Sequence, residues 1–200
     1  MDRVEPASPQ HESATAIQRV SLVPVALPIE TAQRLASLLS RRVAVPCEVS
    51  PRAGVEPPPR LGTRAQHDAD ALLRGLGALA IPTRTVVVGV TALDLAIPVF
   101  THVFGRAMLG GPAALISLAR LGPEFYGAPP NPTLTLERGV TEILHELGHV
   151  AGLDHCADRG CIMSFVPNVE SLDLRGRGFC VRCAERTAAR VPLAHAPGAP

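Results

Sequence analysis

Short apolar runs alternate with helical periods along the first half of the chain. Residues 20–27 and 43–49 form apolar runs of the length expected for strands. Residues 29–41 and 63–78 repeat apolar side chains at helical spacing. The run TVVVGVT at residues 85–91 is apolar on both faces, as expected of a central strand that is covered by helices. This order of strand, helix, strand, helix, strand predicts an α/β layered domain.

The second half of the chain is predicted to add one strand and one long helix. Residues 94–106 show no clear period, whereas residues 113–119 form another apolar run. Residues 122–132 are rich in Gly and Pro and predict a loop. The helix is predicted over residues 135–151. Its apolar face, which can pack against the sheet, consists of Leu136, Val140, Ile143, Leu144, Leu147 and Val150.

Length, composition and charge narrow the class of protein. A chain of 200 residues favours one domain, and with only 3% aromatic residues its core must be aliphatic. The net charge of +1 gives no reason to expect a nucleic-acid or membrane partner. Residues 1–15 are polar without the charged and apolar regions of a signal peptide. We therefore expect a cytoplasmic monomer.

One stretch carries clear chemistry: residues 145–155, with the sequence HELGHVAGLDH. His145 and His149 are four residues apart, so both imidazoles leave one face of the predicted helix and can bind a zinc ion. Glu146 lies beside them, where it can act as general base on a zinc-bound water. The alternative is a helix with ordinary core histidines, since a bare HExxH also arises by chance.

The residues that follow the helix strengthen the zinc interpretation. Gly152 can adopt the left-handed conformation that ends a helix, and the turn can bring His155 back as a third ligand. Three protein ligands leave one coordination position open, which is the arrangement of a catalytic zinc. The other histidines show no ligand spacing and are interpreted as ordinary; they are His11, His67, His102 and His195.

Four of the five cysteines follow the histidine motif in two pairs. Cys156 and Cys161 have the spacing C-x4-C, and Cys180 and Cys183 the spacing C-x2-C. Four thiolates fill the coordination sphere of zinc, so this second ion would be structural. The alternative is four free buried thiols. Cys47 is left over and is interpreted as a small buried apolar residue.

The combined motif HExxHxxGxxHCx4CxM with a following CxxC resembles the archaemetzincin family of metzincin zinc metalloproteases. The sixteen residues 164–179 between the methionine and the last pair are one fewer than the resemblance leads us to expect. The resemblance implies a single metzincin-like zincin domain, with a twisted mixed β-sheet, a backing helix, an active-site helix and a small zinc-stabilised C-terminal part. It further implies that residues 113–119 are the edge strand that binds substrate; the alternative is an ordinary buried strand.

The resemblance also assigns roles after the third histidine. Met163 would form the Met-turn, with its thioether packed under the catalytic zinc. Phe165 stands where some metzincins have a tyrosine, and it cannot donate a hydrogen bond to an oxyanion.

The domain boundaries expected on this basis start from a disordered segment at residues 1–17. The metalloprotease domain would cover residues 18–190, with its upper part, the sheet and active-site helix, ending at residue 152. The lower part, residues 153–190, would hold the cysteine site, and residues 191–200 would be a flexible tail.

The function predicted from these residues is hydrolysis of peptide bonds in a peptide or protein substrate, with two zinc ions per chain. The resemblance makes aminopeptidase action an option. One rival is a zinc-stabilised peptide-binding protein with little or no hydrolysis, against which the intact Glu146 argues. Another is a zincin associated with DNA repair, but the near-neutral charge disfavours it.

Overall fold

The computed structural model describes residues 16–50, 55–80 and 84–194. Its strands are β1 (Arg19–Val25), β2 (Cys47–Val49), β3 (His67–Asp68), β4 (Thr85–Thr91), β5 (Leu95–Ala96), β6 (Gly105–Ala107) and β7 (Ala113–Ser117). Its helices are α1 (Ile29–Leu39), α2 (Ala69–Leu79), α3 (Pro132–Val150), α4 (Val169–Leu174) and α5 (Val181–Thr187), with a 3-10 turn at Pro123–Tyr126. None of these helices combines the length and apolar character needed to cross a membrane.

The main sheet is mixed and has five strands in the order β2-β1-β4-β7-β6. All neighbours pair in parallel except β6, which runs antiparallel to β7. The central position of β4 agrees with its run of apolar residues, because helices cover both faces of a parallel sheet. The predicted α/β fold, with its twisted mixed sheet, backing helix and active-site helix, is confirmed.

The prediction that residues 113–119 form the edge strand is wrong. All five residues of β7 are buried, and β7 lies between β4 and β6. The edge next to α3 is formed by β6, within the segment that showed no period. Three residues are too few to produce an alternating pattern, and the sequence of β6, Gly-Arg-Ala, carries no strand preference.

The helices divide the core into two layers. α1 and α3 pack on one face of the sheet in a cluster that includes Leu22, Leu35, Ile116 and Leu147. α2 packs on the opposite face in a second cluster. The active-site helix is therefore held between the sheet, α1 and the C-terminal part, with most of its residues buried.

The starting points of two helices differ from the sequence prediction. α3 begins at Pro132 because the Asn131 side chain accepts a hydrogen bond from the backbone N–H of Leu134 at 3.1 Å, and proline suits a first turn. α2 begins at Ala69, six residues later than predicted. Asp68 caps it by accepting from the N–H of Ala71 at 3.0 Å.

The C-terminal part contains two short helices that the sequence did not predict. α4 and α5 contribute Val169, Leu172 and Ala184 to the larger core cluster. Residues 1–15 and 195–200 lie outside the described part, so the disorder expected there stays a prediction. At the edges of these segments, Ile17 and Val191 were expected to be disordered or flexible, but both are buried, because their chains pair with neighbouring backbone.

Candidate active site and metal centres

The three motif histidines converge at the C-terminal end of α3. Their ligand nitrogens lie within 4.8 Å of one another. The Nε2 atoms of His145 and His149 are 3.1 Å apart, and the His155 ring lies 4.9 Å from the His149 ring, measured between centroids. Gly152 turns the chain with a φ of +88°, which returns His155 toward the helix. The structure thus brings together the residues predicted to bind the catalytic zinc.

Backbone carbonyls orient two of these rings. Nδ1 of His145 lies 2.7 Å from the carbonyl oxygen of Ile162, and Nδ1 of His149 lies 2.6 Å from that of Leu153. A carbonyl oxygen only accepts, so Nδ1 must carry the proton in each ring. Each Nε2 then keeps its lone pair free for a metal.

Burial also keeps the histidines neutral. It lowers the pKa of all three, most strongly for the buried His145, where the charge of Arg175 adds to the effect. Neutral imidazoles with converging Nε2 atoms are the donors that zinc prefers. The residues present therefore fit a zinc ion.

Glu146 lies beside the histidines with its carboxylate buried. Its Oε2 atom has no hydrogen-bond partner among the described residues. Burial, and then the negative charge of Glu142, raise the pKa of Glu146 well above its ordinary value. The carboxylate occupies space that a side chain at position 105 would fill, because a Cβ on Gly105 would collide with it. Gly105 of β6 therefore allows the edge strand to pass directly over Glu146.

A buried ion pair joins the active-site helix to α4. Arg175, at the end of α4, donates from Nη2 to Glu142, one turn before Glu146. Nη1 of Arg175 lies 3.3 Å from the carbonyl oxygen of Ser164, and 3.2 Å from Nδ1 of His145. Because His145 uses its Nδ1 proton for Ile162, Arg175 donates to Ser164 instead. This cation thus fixes the backbone beneath the histidines and offsets the charge of Glu142.

A cleft of about 690 Å³ runs along this site. The three histidines and Glu146 line it. β6 and the segment before it also contribute, as do residues 165–167 and Arg175. The exposed Phe165 packs its ring edge-on against His155, with 5.3 Å between centroids, so it shapes the cleft without offering a hydrogen bond.

The four paired cysteines form a second cluster, which adjoins the first because Cys156 directly follows His155. Their Sγ atoms also lie within 4.8 Å of one another, and none of them is in a disulfide. Cys161 accepts from the backbone N–H groups of Met163 at 3.5 Å and Cys180 at 3.3 Å. Four sulfur atoms with backbone donors on one of them match a closed structural zinc site.

The thiol environments in this cluster differ. Hydrogen bonds, first from the Asp158 backbone and then from Arg182, lower the pKa of Cys156 to about 7 against the effect of burial. Burial raises the pKa of Cys161 and Cys183. The guanidinium of Arg182 lies 3.6 Å from Cys156 Sγ, where it favours the thiolate that a metal requires.

Met163 is fully buried beneath the active-site helix. A side chain on Gly148 would collide with the Met163 sulfur and would press against the Phe179 ring. This close approach explains why the helix contains a glycine, which otherwise costs about 1 kcal/mol relative to alanine. The predicted Met-turn residue thus lies under the histidine site.

Sequence reasoning missed several residues of the cleft. Glu142 lies four residues before Glu146 on the same helical face, a spacing that could have revealed it. Gly105 and Arg175 reach the cleft only through tertiary structure, and no local pattern marks them, whereas Asp154 directly precedes His155 in the motif. His102, interpreted as ordinary, also lines the cleft.

Cys47 is half-buried, and burial raises the pKa of its thiol to about 11, consistent with a packing role.

Comparisons with known proteins agree with this site. The family model of peptidase family M54 matches residues 61–188. The archaemetzincin of Methanocaldococcus jannaschii is 38% identical over 140 residues, which cover 70% of this chain and 76% of that protein.

Solved structures extend the similarity to the fold. The crystal structure of a zinc-dependent peptidase from Methanocorpusculum labreanum matches with a TM-score of 0.74 at 27% identity, covering 84% of this chain and 98% of that one. An archaemetzincin from Archaeoglobus fulgidus matches with a TM-score of 0.72 at 31% identity, covering 84% and 99%.

Proposed function

The chain belongs to peptidase family M54 and is a zinc metallopeptidase, and from that premise we propose that Glu146 is its general base. The observation that carries this proposal is the unpartnered Oε2 of Glu146, buried beside three converging histidines. Burying a carboxylate without a partner costs free energy, so such a group in a cleft indicates a functional role. Proton transfer is a role that a carboxylate beside a metal site can perform.

Two zinc ions per chain are proposed. His145, His149 and His155 would hold the catalytic ion, and the four paired cysteines would hold the structural one. When bound, the catalytic zinc supplies Lewis-acid chemistry that makes a water molecule more acidic and polarises a carbonyl.

The protein's own side chains contribute proton transfer to the reaction. Glu146 takes a proton from the attacking water, holds it on its carboxylate and gives it to the leaving amine. Burial raises the pKa of Glu146, which makes its carboxylate a stronger base than an exposed glutamate. Gly105 and the buried surroundings keep the carboxylate in place between these two transfers.

The edge strand β6 is proposed to bind the substrate backbone. Phe104 accepts from the N–H of Ser117 at 2.8 Å, and Met108 donates to the carbonyl of Ala113 at 2.9 Å, so alternate residues face β7. The peptide groups of Gly105 and Ala107 therefore point away from β7. They can pair with an extended peptide lying in the cleft.

We further propose that the enzyme acts as an aminopeptidase on peptide or protein substrates. The test is digestion of a peptide library by the zinc-loaded protein, read by mass spectrometry. Glu146→Gln is the matched variant, and it should keep both zinc ions while losing about a thousandfold or more in turnover, the scale of losing a positioned base. Near-wild-type turnover by this variant would remove Glu146 from the mechanism. Internal fragments without N-terminal trimming would show endopeptidase action instead.

A further inference from the structure

The acidic groups along the cleft differ in whether they already have partners. Glu142 is paired with Arg175, and Glu146 is buried beside the histidines. Asp154 also lines the cleft, but it is exposed and makes no hydrogen bond or ion pair with any residue the structure describes. It is therefore a carboxylate in contact with the cleft whose charge no protein cation offsets by contact.

The position of Asp154 along the cleft follows from two contacts of α3, one with β6 and one with the chain just after β6. Gly105 lies against Glu146, and further along, the N–H of Gly110 donates to the carbonyl of His149 at 3.0 Å. The edge strand and the active-site helix therefore run in the same direction. Leu109 and Asp154 both line the cleft, and the carbonyl of Leu153 lies 2.6 Å from Nδ1 of His149, so Asp154 lies beside the C-terminal end of α3.

This direction fixes which end of a substrate reaches Asp154. A peptide that pairs antiparallel to β6, the more stable of the two pairings, has its N-terminus toward Ala107 and Leu109. At that end the strand stops, and the chain turns at Gly110 with a φ of +68° to reach the end of α3. Backbone pairing can therefore extend little beyond Ala107, and the substrate chain has few contacts available upstream of it.

The electrostatics of that end favour a cation. The C-terminal end of a helix carries partial negative charge, and Asp154 adds a full one. The buried guanidinium of Arg175, which also lines the cleft, is already paired with Glu142. In the orientation that antiparallel pairing selects, a positive N-terminus therefore points toward the carboxylate of Asp154.

We propose that Asp154 binds the α-ammonium group of the substrate and so selects free N-termini. This inference rests on the proposed function, because it assumes that a peptide pairs with β6 over Glu146. It adds a residue that holds the substrate by charge while taking no part in proton transfer.

Binding can be measured without turnover in the zinc-loaded Glu146→Gln protein. The probes are the tripeptide amide Ala-Leu-Ala-NH2, its N-acetylated form, and an N-acetylated tetrapeptide amide with arginine added before the first alanine. Calorimetry should show the free amine binding about tenfold more tightly than the acetylated tripeptide, the scale of one charge-assisted hydrogen bond. Adding Asp154→Asn should abolish this difference, and Asp154→Glu should retain most of it.

Glu185→Gln is the matched control, since it removes an exposed acid on α5 outside the cleft and should leave the difference unchanged. Zinc content is measured for every variant, because Asp154 adjoins His155. Equal binding of the free and acetylated tripeptides, or no binding of the free amine, overturns the inference. If the arginine peptide alone regains tight binding through Asp154, the site selects a basic side chain and the inference is also wrong.

Turnover separates this inference from the proposed function. If the otherwise wild-type enzyme cleaves free and acetylated peptides equally, the role of Glu146 as general base stands, while aminopeptidase action and the role of Asp154 both fail. If Asp154 discriminates in binding but Glu146→Gln cleaves peptides as fast as the wild-type enzyme, the role of Asp154 stands and the proposed role of Glu146 fails.

Discussion

The histidine centre and the cysteine centre adjoin at one peptide bond, between His155 and Cys156, yet they are built differently. The first two histidines lie on a long buried helix that the sheet and α1 support. The cysteines come from two separate segments of the chain, and of the four only Cys183 lies within a helix. The histidine centre thus depends mainly on one continuous helix, whereas the cysteine centre joins two segments that are otherwise connected by loops and short helices.

The difference predicts that the coupling between the centres is unequal. Cys161, Ile162 and Met163 are consecutive. The first belongs to the cysteine cluster, the carbonyl of the second orients His145, and the third packs under Gly148. In addition, the N–H of Cys156 donates to the carbonyl of Met163 at 2.8 Å. Loss of the cysteine centre should therefore disturb the histidine centre, while loss of the catalytic ion should leave the cysteine centre in place.

The largest effect is expected from Cys180→Ser combined with Cys183→Ser. Structural zinc sites supply about 10 kcal/mol or more of apparent binding free energy, so their loss should disorder the C-terminal part. Metal analysis should show loss of the structural ion and weakened binding of the catalytic one, with reduced activity and a lower Tm. A variant that kept one tightly bound zinc and normal activity would refute this coupling.

The two centres also differ in how far the sequence could predict them. The histidine centre could be predicted from helical spacing and one glycine turn, which are local features. The spacing of the paired cysteines alone predicts a metal site. The link between them, through Ile162 and Arg175, joins residues that are 17 and 30 positions from His145. Such tertiary contacts leave no periodic trace. The edge strand was misassigned for the same reason, since its position depends on the sheet order and not on its own three residues.

The next largest effect is expected at Arg175, which also joins the active-site helix to the C-terminal part. Arg175→Met would leave Glu142 buried without its cation, which should cost about 3–5 kcal/mol in the free energy of unfolding. The double variant Arg175→Met with Glu142→Leu removes both charges and should recover much of that loss. Chemical denaturation of the two variants tests this. Equal destabilisation of single and double variants would show that the packing of Arg175, and not its charge, supports the fold.

A smaller effect on the fold is expected from His149→Ala. Two remaining histidines hold zinc poorly, so the catalytic ion should be lost. The cysteine centre contains no atom of His149, and one zinc per chain should remain with a Tm lowered by only a few degrees. Metal stoichiometry and thermal melting give both readouts. Two zinc ions per chain in this variant would contradict the ligand assignment.

The smallest effect is the response of the two centres to mild acid. Burial lowers the pKa of the three histidines, so the folded protein without zinc binds fewer protons than the unfolded chain just below pH 6.5. The stability contributed by these neutral rings is therefore present above that value and is lost as the pH falls.

Protons compete with zinc for the same nitrogens, so catalytic zinc should dissociate below about pH 6.5 under dilute metal. The cysteine ion, closed by four sulfurs, should persist to lower pH and serves as the internal reference. Zinc content measured by dialysis across pH 5 to 7.5 would therefore fall from two ions per chain to one before the fold is lost. Simultaneous loss of both ions would show that the two centres behave as one.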